Sequence, residues 1–355
     1  MSVNVSSEVL SWLLEPDDPG PRYLALRDLL ARPSDDLELL AARAAAHAAP
    51  PIATIVDAME PEGYWGKPGA GYGPKYSSTV WALIMLAQTG ATAAADERIA
   101  RGATYLLDHS LGPHGQLTTN SKGAPSGTVD CLQGNLLMSL IDLEIDDPRL
   151  DLAFEWMART VTGKGMASKE EKSAVRRYYA YKSGPLFRCG VNGDQPCGWG
   201  AAKVMLAFGK LPAARRTPMI DEAIRQGVEY LLSIDPATAA YPSFFGHGPS
   251  RNWWKFGFPV FYITDILQVI EALVALGYDD DPRLANAFAL VRSKSDSQGR
   301  WPLEYGYTGK MGEGVEFGRK GRPSKWVTIR ALRVLGQVED IAVSTRHLVA
   351  NQLVL

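Results

Sequence analysis

Asp146-Asp147-Pro148-Arg149-Leu150, followed by Ala153-Phe154, recurs 134 residues later as Asp280-Asp281-Pro282-Arg283-Leu284, followed by Ala287-Phe288. Asp before Pro is a helix start: the carboxylate caps the first free backbone N–H groups and proline's fixed φ suits the first turn. Leu, Ala and Phe at three- and four-residue spacing then give the helix one apolar stripe. The interval holds two further helix starts, which predicts a repeating unit of about half its length.

Apolar stretches rich in small residues mark the same unit. They begin near Tyr76 (YSSTVWALIMLAQTG), Val129 (VDCLQGNLLMSLIDL), Gln195 (QPCGWGAAKVMLAFG), Phe258 (FPVFYITDILQVIEALVALG) and Pro323 (PSKWVTIRALRVLG). Each is apolar around most of its circumference and is expected to be an inner helix. Between them lie amphipathic stretches, Asp96 to Asp108, Asp147 to Arg159, Ile220 to Ser233 and Pro282 to Lys294, with charges on one face only. These are expected to be outer helices. Residues 1–58 add further helices, 59–338 hold the repeats and 339–355 close the chain. One all-α domain is therefore expected, with no strand, either an open superhelix or a closed ring.

Composition narrows the function. The 355 residues carry 37 basic and 39 acidic side chains, which argues against nucleic-acid binding through a basic surface. No run of eighteen apolar residues is present, so no transmembrane span is expected. The first residues lack the basic region of a secretion signal, so a cytoplasmic protein is expected. Three cysteines cannot make a disulfide framework and point to packing, metal binding or reactivity.

Gly-aromatic motifs stand at the joints between units: Glu62-Gly63-Tyr64-Trp65 and Gln298-Gly299-Arg300-Trp301. With the helix pairs, they resemble the QW-type repeats of the α/α-toroid superfamily over roughly Met59 to Val338. That superfamily includes squalene cyclase and other class II terpenoid cyclases and the β subunits of protein prenyltransferases. The resemblance implies an α/α toroid, inner helices ringed by outer ones, around a mostly apolar cavity for an isoprenoid-type ligand. The cyclase Asp-x-Asp-Asp motif is absent, as is a DDxxD motif. Asp279, Asp280 and Asp281 precede an outer helix, where capping is the expected role.

The cysteines are the sharpest local signal. Cys131 stands at the start of one inner helix, Cys197 at the start of the next, and Cys189 eight residues before it. In an alternating ring these helix starts share one rim, and His247, ahead of the following inner helix, comes to the same rim. Three thiolates and an imidazole satisfy tetrahedral zinc, while packing or a Cys189–Cys197 redox pair are the alternatives. In prenyltransferase β subunits an Asp and a Cys from one inner helix and a later His hold catalytic zinc. Asp130, Cys131 and His247 are similar, although Asp130 and Cys131 are adjacent instead of separated. Linalool dehydratase-isomerase, another α/α barrel, is similar in pairing two cysteines with an Asp and a His for cofactor-free acid–base work. Cys189 and Cys197 resemble such a pair.

The remaining candidates flank this rim. Arg251, Trp253, Trp254, Lys255 and Phe258 form an aromatic-basic loop suited to an isoprenoid and its anionic head. Asp265, expected one or two turns inside the next inner helix, is a general acid–base candidate or half of a salt bridge. The stretch Gly163 to Arg188 reads as a short helix, with Arg176, Arg177 and Lys182 facing an anionic ligand or simply solvent. An enzyme with a Cys/His zinc site on an isoprenoid is the leading expectation. A metal-free dehydratase or isomerase, and a non-catalytic toroid with structural zinc that binds a protein partner, are the alternatives. An open apolar cavity would favour an enzyme, and one filled by side chains a binder.

Overall fold

The structure is a computed structural model, and it describes residues 6–120, 127–178, 183–244, 246, 250–306 and 315–336. His247, Lys182 and the segment 339–355 lie outside these residues. The described chain is mostly helical. Four helices come first: α1 (Ser7–Leu13), α2 (Pro19–Leu24), α3 (Leu37–His47) and α4 (Ile52–Asp57), with a π-helical turn over Ala25–Leu29 extending α2. Then follow α5 (Thr79–Thr89), α6 (Glu97–Ser110), α7 (Asp130–Asp142), α8 (Arg149–Thr162), α9 (Gly198–Lys210), α10 (Pro218–Leu232), α11 (Ile266–Ala275), α12 (Ala285–Ser293) and α13 (Lys325–Leu335). None of the described helices is long and apolar enough to cross a membrane.

The alternation in the sequence becomes an alternation of burial. Every residue from Thr79 to Ala87 of α5 is buried, whereas α6 buries only the stripe Ile99, Gly102, Ala103, Leu106, Leu107 and Ser110. Packing then follows the chain in order: α5 on α7, α7 on α9, α9 on α11, α11 on α13, α13 on α2, and α2 back on α5. The amphipathic helices α6, α8, α10 and α12 lie against α5, α7, α9 and α11 respectively. Gly134 lets α7 and α9 approach closely, because a Cβ there would stand 2.4 Å from the carbonyl carbon of Lys203.

The repeated motifs act as equivalent joints. Asp96, Asp147 and Asp281 each cap a helix or turn through the backbone N–H two residues on and bind the guanidinium of that same residue, Arg98, Arg149 or Arg283. The arginine's other arm reaches an acid of the preceding helix, Asp57, Asp108 or Glu229. These hydrogen bonds hold all three capping aspartates below the usual carboxylate range. The tryptophan motifs match as closely. Trp65 donates its indole N–H to Ile55 O at 2.6 Å and its backbone N–H to Thr79 Oγ1, while Trp301 does the same with Val291 O at 2.7 Å and Thr328 Oγ1. Each indole thus ties an outer helix to the next inner one.

Three local expectations differ from what is found. The stretch Phe258–Thr264 is not helical, and α11 begins at Ile266 with Asp265 as its cap. The described part of 163–188 carries turns instead of a helix, because its backbone bonds across itself, Ala167 with Arg176 and Tyr178. Arg176 is exposed there, and Arg177 donates to Lys169 O. A small antiparallel pair, β1 (Arg188–Cys189) with β2 (Gln195–Pro196), precedes α9.

Candidate functional site

The starts of α7 and α9 bring the cysteine cluster together. Asp130 and Cys131 open α7, and Cys197 is the cap residue of α9. Cys189 pairs with Gln195 in the β1–β2 ladder, and Cys197 N–H donates to Phe187 O at 2.9 Å, so this hairpin folds Cys189 back beside α9. A Cβ on Gly200 would lie 3.3 Å from Asp130 Cβ and 3.9 Å from Cys197 Cβ, so the bare backbone there lets the carboxyl and thiol side chains come near the same point. None of the three cysteines is in a disulfide, and all are partly buried.

Burial sets the protonation of this cluster. Asp130 is 8% exposed, and burial alone pushes its carboxyl up to about 7. Burial pushes the Cys197 thiol up to about 11, with Cys189 and Asp130 adding to the rise. It drives the Cys131 thiol higher still, reinforced by Cys197, Asp130 and Cys189. The Cys131 and Cys197 thiols are therefore protonated near neutrality, whereas the Asp130 carboxyl exchanges a proton there.

Lys203, on the same helix as Cys197, is fully buried and donates to Gln268 Oε1 on α11. Burial pushes its amine down to about 7, opposed by the charge of Asp265 and reinforced by Arg330. Aromatic rings border the cluster. Burial holds the Tyr262 hydroxyl well above its ordinary range, with Cys131 and Tyr72 adding. Around Tyr262 stand Trp81, Tyr72, Tyr76 and Phe261, with ring centroids 4.8 to 6.2 Å apart.

The segment Phe258–Thr264 fills the middle of the helix circuit. Gln88 of α5 clasps Val260 with two hydrogen bonds, 2.8 Å to its carbonyl and 2.7 Å from its N–H. Asn135 of α7 donates to Phe261 O at 3.3 Å. Because the segment leads into α11, these bonds to α5 and α7 carry it across the circuit, and Val260 and Phe261 are fully buried. On its far side, at the C-terminal ends of α5, α7, α9 and α11, remains a cavity of about 340 Å³, bordered by Phe258, Arg27, Asp28, Lys210, Glu271 and Arg330. Its charges are paired: Asp28 with Arg27 and Arg333, Lys210 with Asp142. The expected apolar lining is supplied by Ala87, Met138, Leu206, Val274, Ala275 and Val334, and these paired charges stand among it.

The other expected residues are spread out. Asp265 is fully buried, accepts from Gln268 N–H as the cap of α11, and binds Arg330 bidentately at 2.8 and 2.9 Å. Arg330 also donates to Gly257 O and Glu271, so the pair is a buried structural tie. Trp253 and Trp254 donate their indole N–H groups to Pro236 O and Ala237 O, fastening their loop to the exit of α10. Arg251 and Lys255 are exposed. Phe258 stacks on Trp326 at 4.8 Å. Trp253 also packs 5.3 Å from the Tyr241 ring, which lies against Gly198 beside Cys197, whereas Phe258 packs on α13.

Among the described residues no group of three or more His, Cys, Asp or Glu side chains is placed to hold a metal ion, and His247, the fourth expected zinc donor, lies outside those residues.

No protein-family model matches the chain, and none of the curated proteins matches it. Among solved structures, a protein from Actinoplanes is similar over 83% of this chain and 74% of its own, with 18% identity and a TM-score of 0.43. The type II terpene cyclase MstE from Scytonema, in its apo form, is similar over 84% of this chain and 98% of its own, with 14% identity and a TM-score of 0.29. Neither likeness is close enough to assign an activity.

Several site residues escaped the sequence reading. Lys203 and Arg330 are cations flanked by buried apolar residues within inner helices, a pattern that marks a buried charge with a partner. Tyr72, Tyr76 and Tyr262 escaped as a cluster, because their loops meet only in three dimensions.

Proposed function

We propose that the chain is an α/α toroid whose helix-start rim is a metal-independent acid–base site for an uncharged, largely apolar substrate of the isoprenoid type. The packing circuit from α2 through α13 and back supports the toroid. The observation that carries the chemistry is Asp130: a carboxyl 8% exposed, titrating near 7, with no hydrogen bond or ion pair to its carboxylate among the described residues. A buried carboxyl serving structure is normally partnered, whereas a catalytic one is tuned toward working pH.

The protonated Asp130 carboxyl donates its proton to a substrate hydroxyl, the C–O bond breaks, and water leaves. The resulting carboxylate then takes a proton from the adjacent carbon, so alcohol becomes alkene plus water and Asp130 returns to its starting state. Cys131 and Cys197, held as neutral thiols, give this reaction an apolar and polarisable wall. Positive charge developing on carbon faces the rings of Tyr262 and its neighbours.

The test is turnover of a panel of branched allylic alcohols, with a chelator present, followed by product analysis. Wild type is expected to form alkenes, and Asp130→Asn to lose at least about 100-fold, the usual span for a general acid. Equal rates in the two proteins, no turnover of any alcohol, or turnover only after zinc is added would each refute the reading. The filled centre of the circuit favours the non-catalytic alternative, a toroid that binds a partner. Absence of any turnover would leave that reading in its place.

A further inference from the structure

The ammonium of Lys75 stands over three aromatic rings, 5.0 Å from the Tyr76 centroid, 5.7 Å from Tyr262 and 5.9 Å from Trp81. Lys75 is exposed, and no ion pair among the described residues engages it. An exposed lysine with water on one side stays over rings only where their negative faces attract it. Those rings are fixed from behind. Trp81 donates its indole N–H to Tyr72 O at 2.8 Å, and Tyr72, Tyr76, Phe261 and Tyr262 all pack on it within 5.4 Å. Tyr76 holds a φ of +69°, a left-handed conformation unfavourable for an aromatic residue, and so turns its ring to the lysine at a backbone cost that the surrounding contacts must offset.

We propose that this box of rings is a binding site for a small quaternary or tertiary alkylammonium compound, and that Lys75 occupies it until such a ligand arrives. A primary ammonium is compact and strongly hydrated, which makes lysine a weak occupant. A trimethylammonium head is less hydrated and sets methyl groups against several ring faces at once, which is the usual use of an aromatic cage. Lys75 can leave readily, because it is exposed and no acid among the described residues holds it. The site shares the rings of Tyr262 and its neighbours with the acid–base reading, but it is measured as binding and needs no turnover, so the two can fail separately.

The experiment titrates choline, and separately 3,3-dimethylbutan-1-ol, into wild type and Lys75→Ala, following tryptophan fluorescence and binding heat. The two probes share a shape, and only choline carries a charge. Choline is expected to bind Lys75→Ala about five- to tenfold tighter than wild type, because it no longer displaces a side chain. The uncharged probe should bind the variant at least about tenfold more weakly than choline, the ratio that roughly 1.4 kcal/mol of cation–π attraction produces. Lys75→Arg, which keeps a cation over the rings, should bind choline no tighter than wild type. Equal binding of the two probes by Lys75→Ala, no binding of choline to that variant, or unchanged choline affinity on removing Lys75 would each overturn the proposal.

Discussion

Replacing Asp130 by Asn tests the central claim about the rim without any substrate. Asn keeps the size of the side chain and removes its titration. In the folded chain the carboxyl titrates near 7, against 3.8 for its ordinary value. That gap corresponds to about 4 kcal/mol against the ionised form in the folded state. Between those two pH values the folded chain binds more protons than the unfolded chain, so this group costs stability as pH rises through the window. From the two values, about 2 kcal/mol of the cost has developed by pH 5 and about 4 kcal/mol by pH 8. The stability of Asp130→Asn relative to wild type should therefore improve by about 2–3 kcal/mol between pH 5 and pH 8. Urea denaturation of both proteins at the two pH values measures this difference, and all other titrating groups cancel. A gap between the proteins that is the same at both pH values would show Asp130 ionising as an ordinary carboxylate, and the acid–base reading would fall with it.

Lys203→Met should behave with the opposite sign. The buried amine titrates near 7, against 10.5 ordinarily, so its cost is full below pH 7 and is relieved as pH rises toward 10.5. The variant's advantage over wild type should shrink by about 2.5 kcal/mol from pH 6 to pH 9, and a constant advantage in urea melts would contradict the burial of this charge. Arg330→Ala leaves Asp265 buried without its partner and should cost about 3–5 kcal/mol, read as a lowered melting temperature; a loss below about 1 kcal/mol would mean that the pair is not buried as described. Phe261→Ala hollows the filled centre and should cost about 3–5 kcal/mol, and a near-neutral result in the same melt would show that the segment is not packed there.

The repeat was legible because its signals are local. Asp147–Arg149 and Asp281–Arg283 make their caps within a few residues, and Trp65 and Trp301 each follow a glycine at φ +97° and +75° that turns the chain at the joint. The start of α11 was misread. Phe258, Phe261, Tyr262 and Asp265 fall at three- and four-residue intervals, the spacing of a helix face, although they form an extended crossing segment. A counter-signal was present in Asp265-Ile266-Leu267-Gln268, a capping residue with Gln three positions on, which marks a helix start. Periodicity reports that residues are buried and cannot distinguish a helix among helices from a strap between them.

What the sequence alone determined was the alternation of buried and amphipathic helices and the placing of Asp130, Cys131 and Cys197 at helix starts, since both follow from neighbours along the chain. Only the tertiary structure decided what those residues are chemically. The carboxyl near 7, the protonated thiols and the neutralised Lys203 arise from desolvation by side chains distant in sequence. The ring box over Lys75 joins Tyr76 to Tyr262 across about half of the chain. Desolvation and ring geometry depend on which surfaces face one another, and a sequence specifies that only once it has folded.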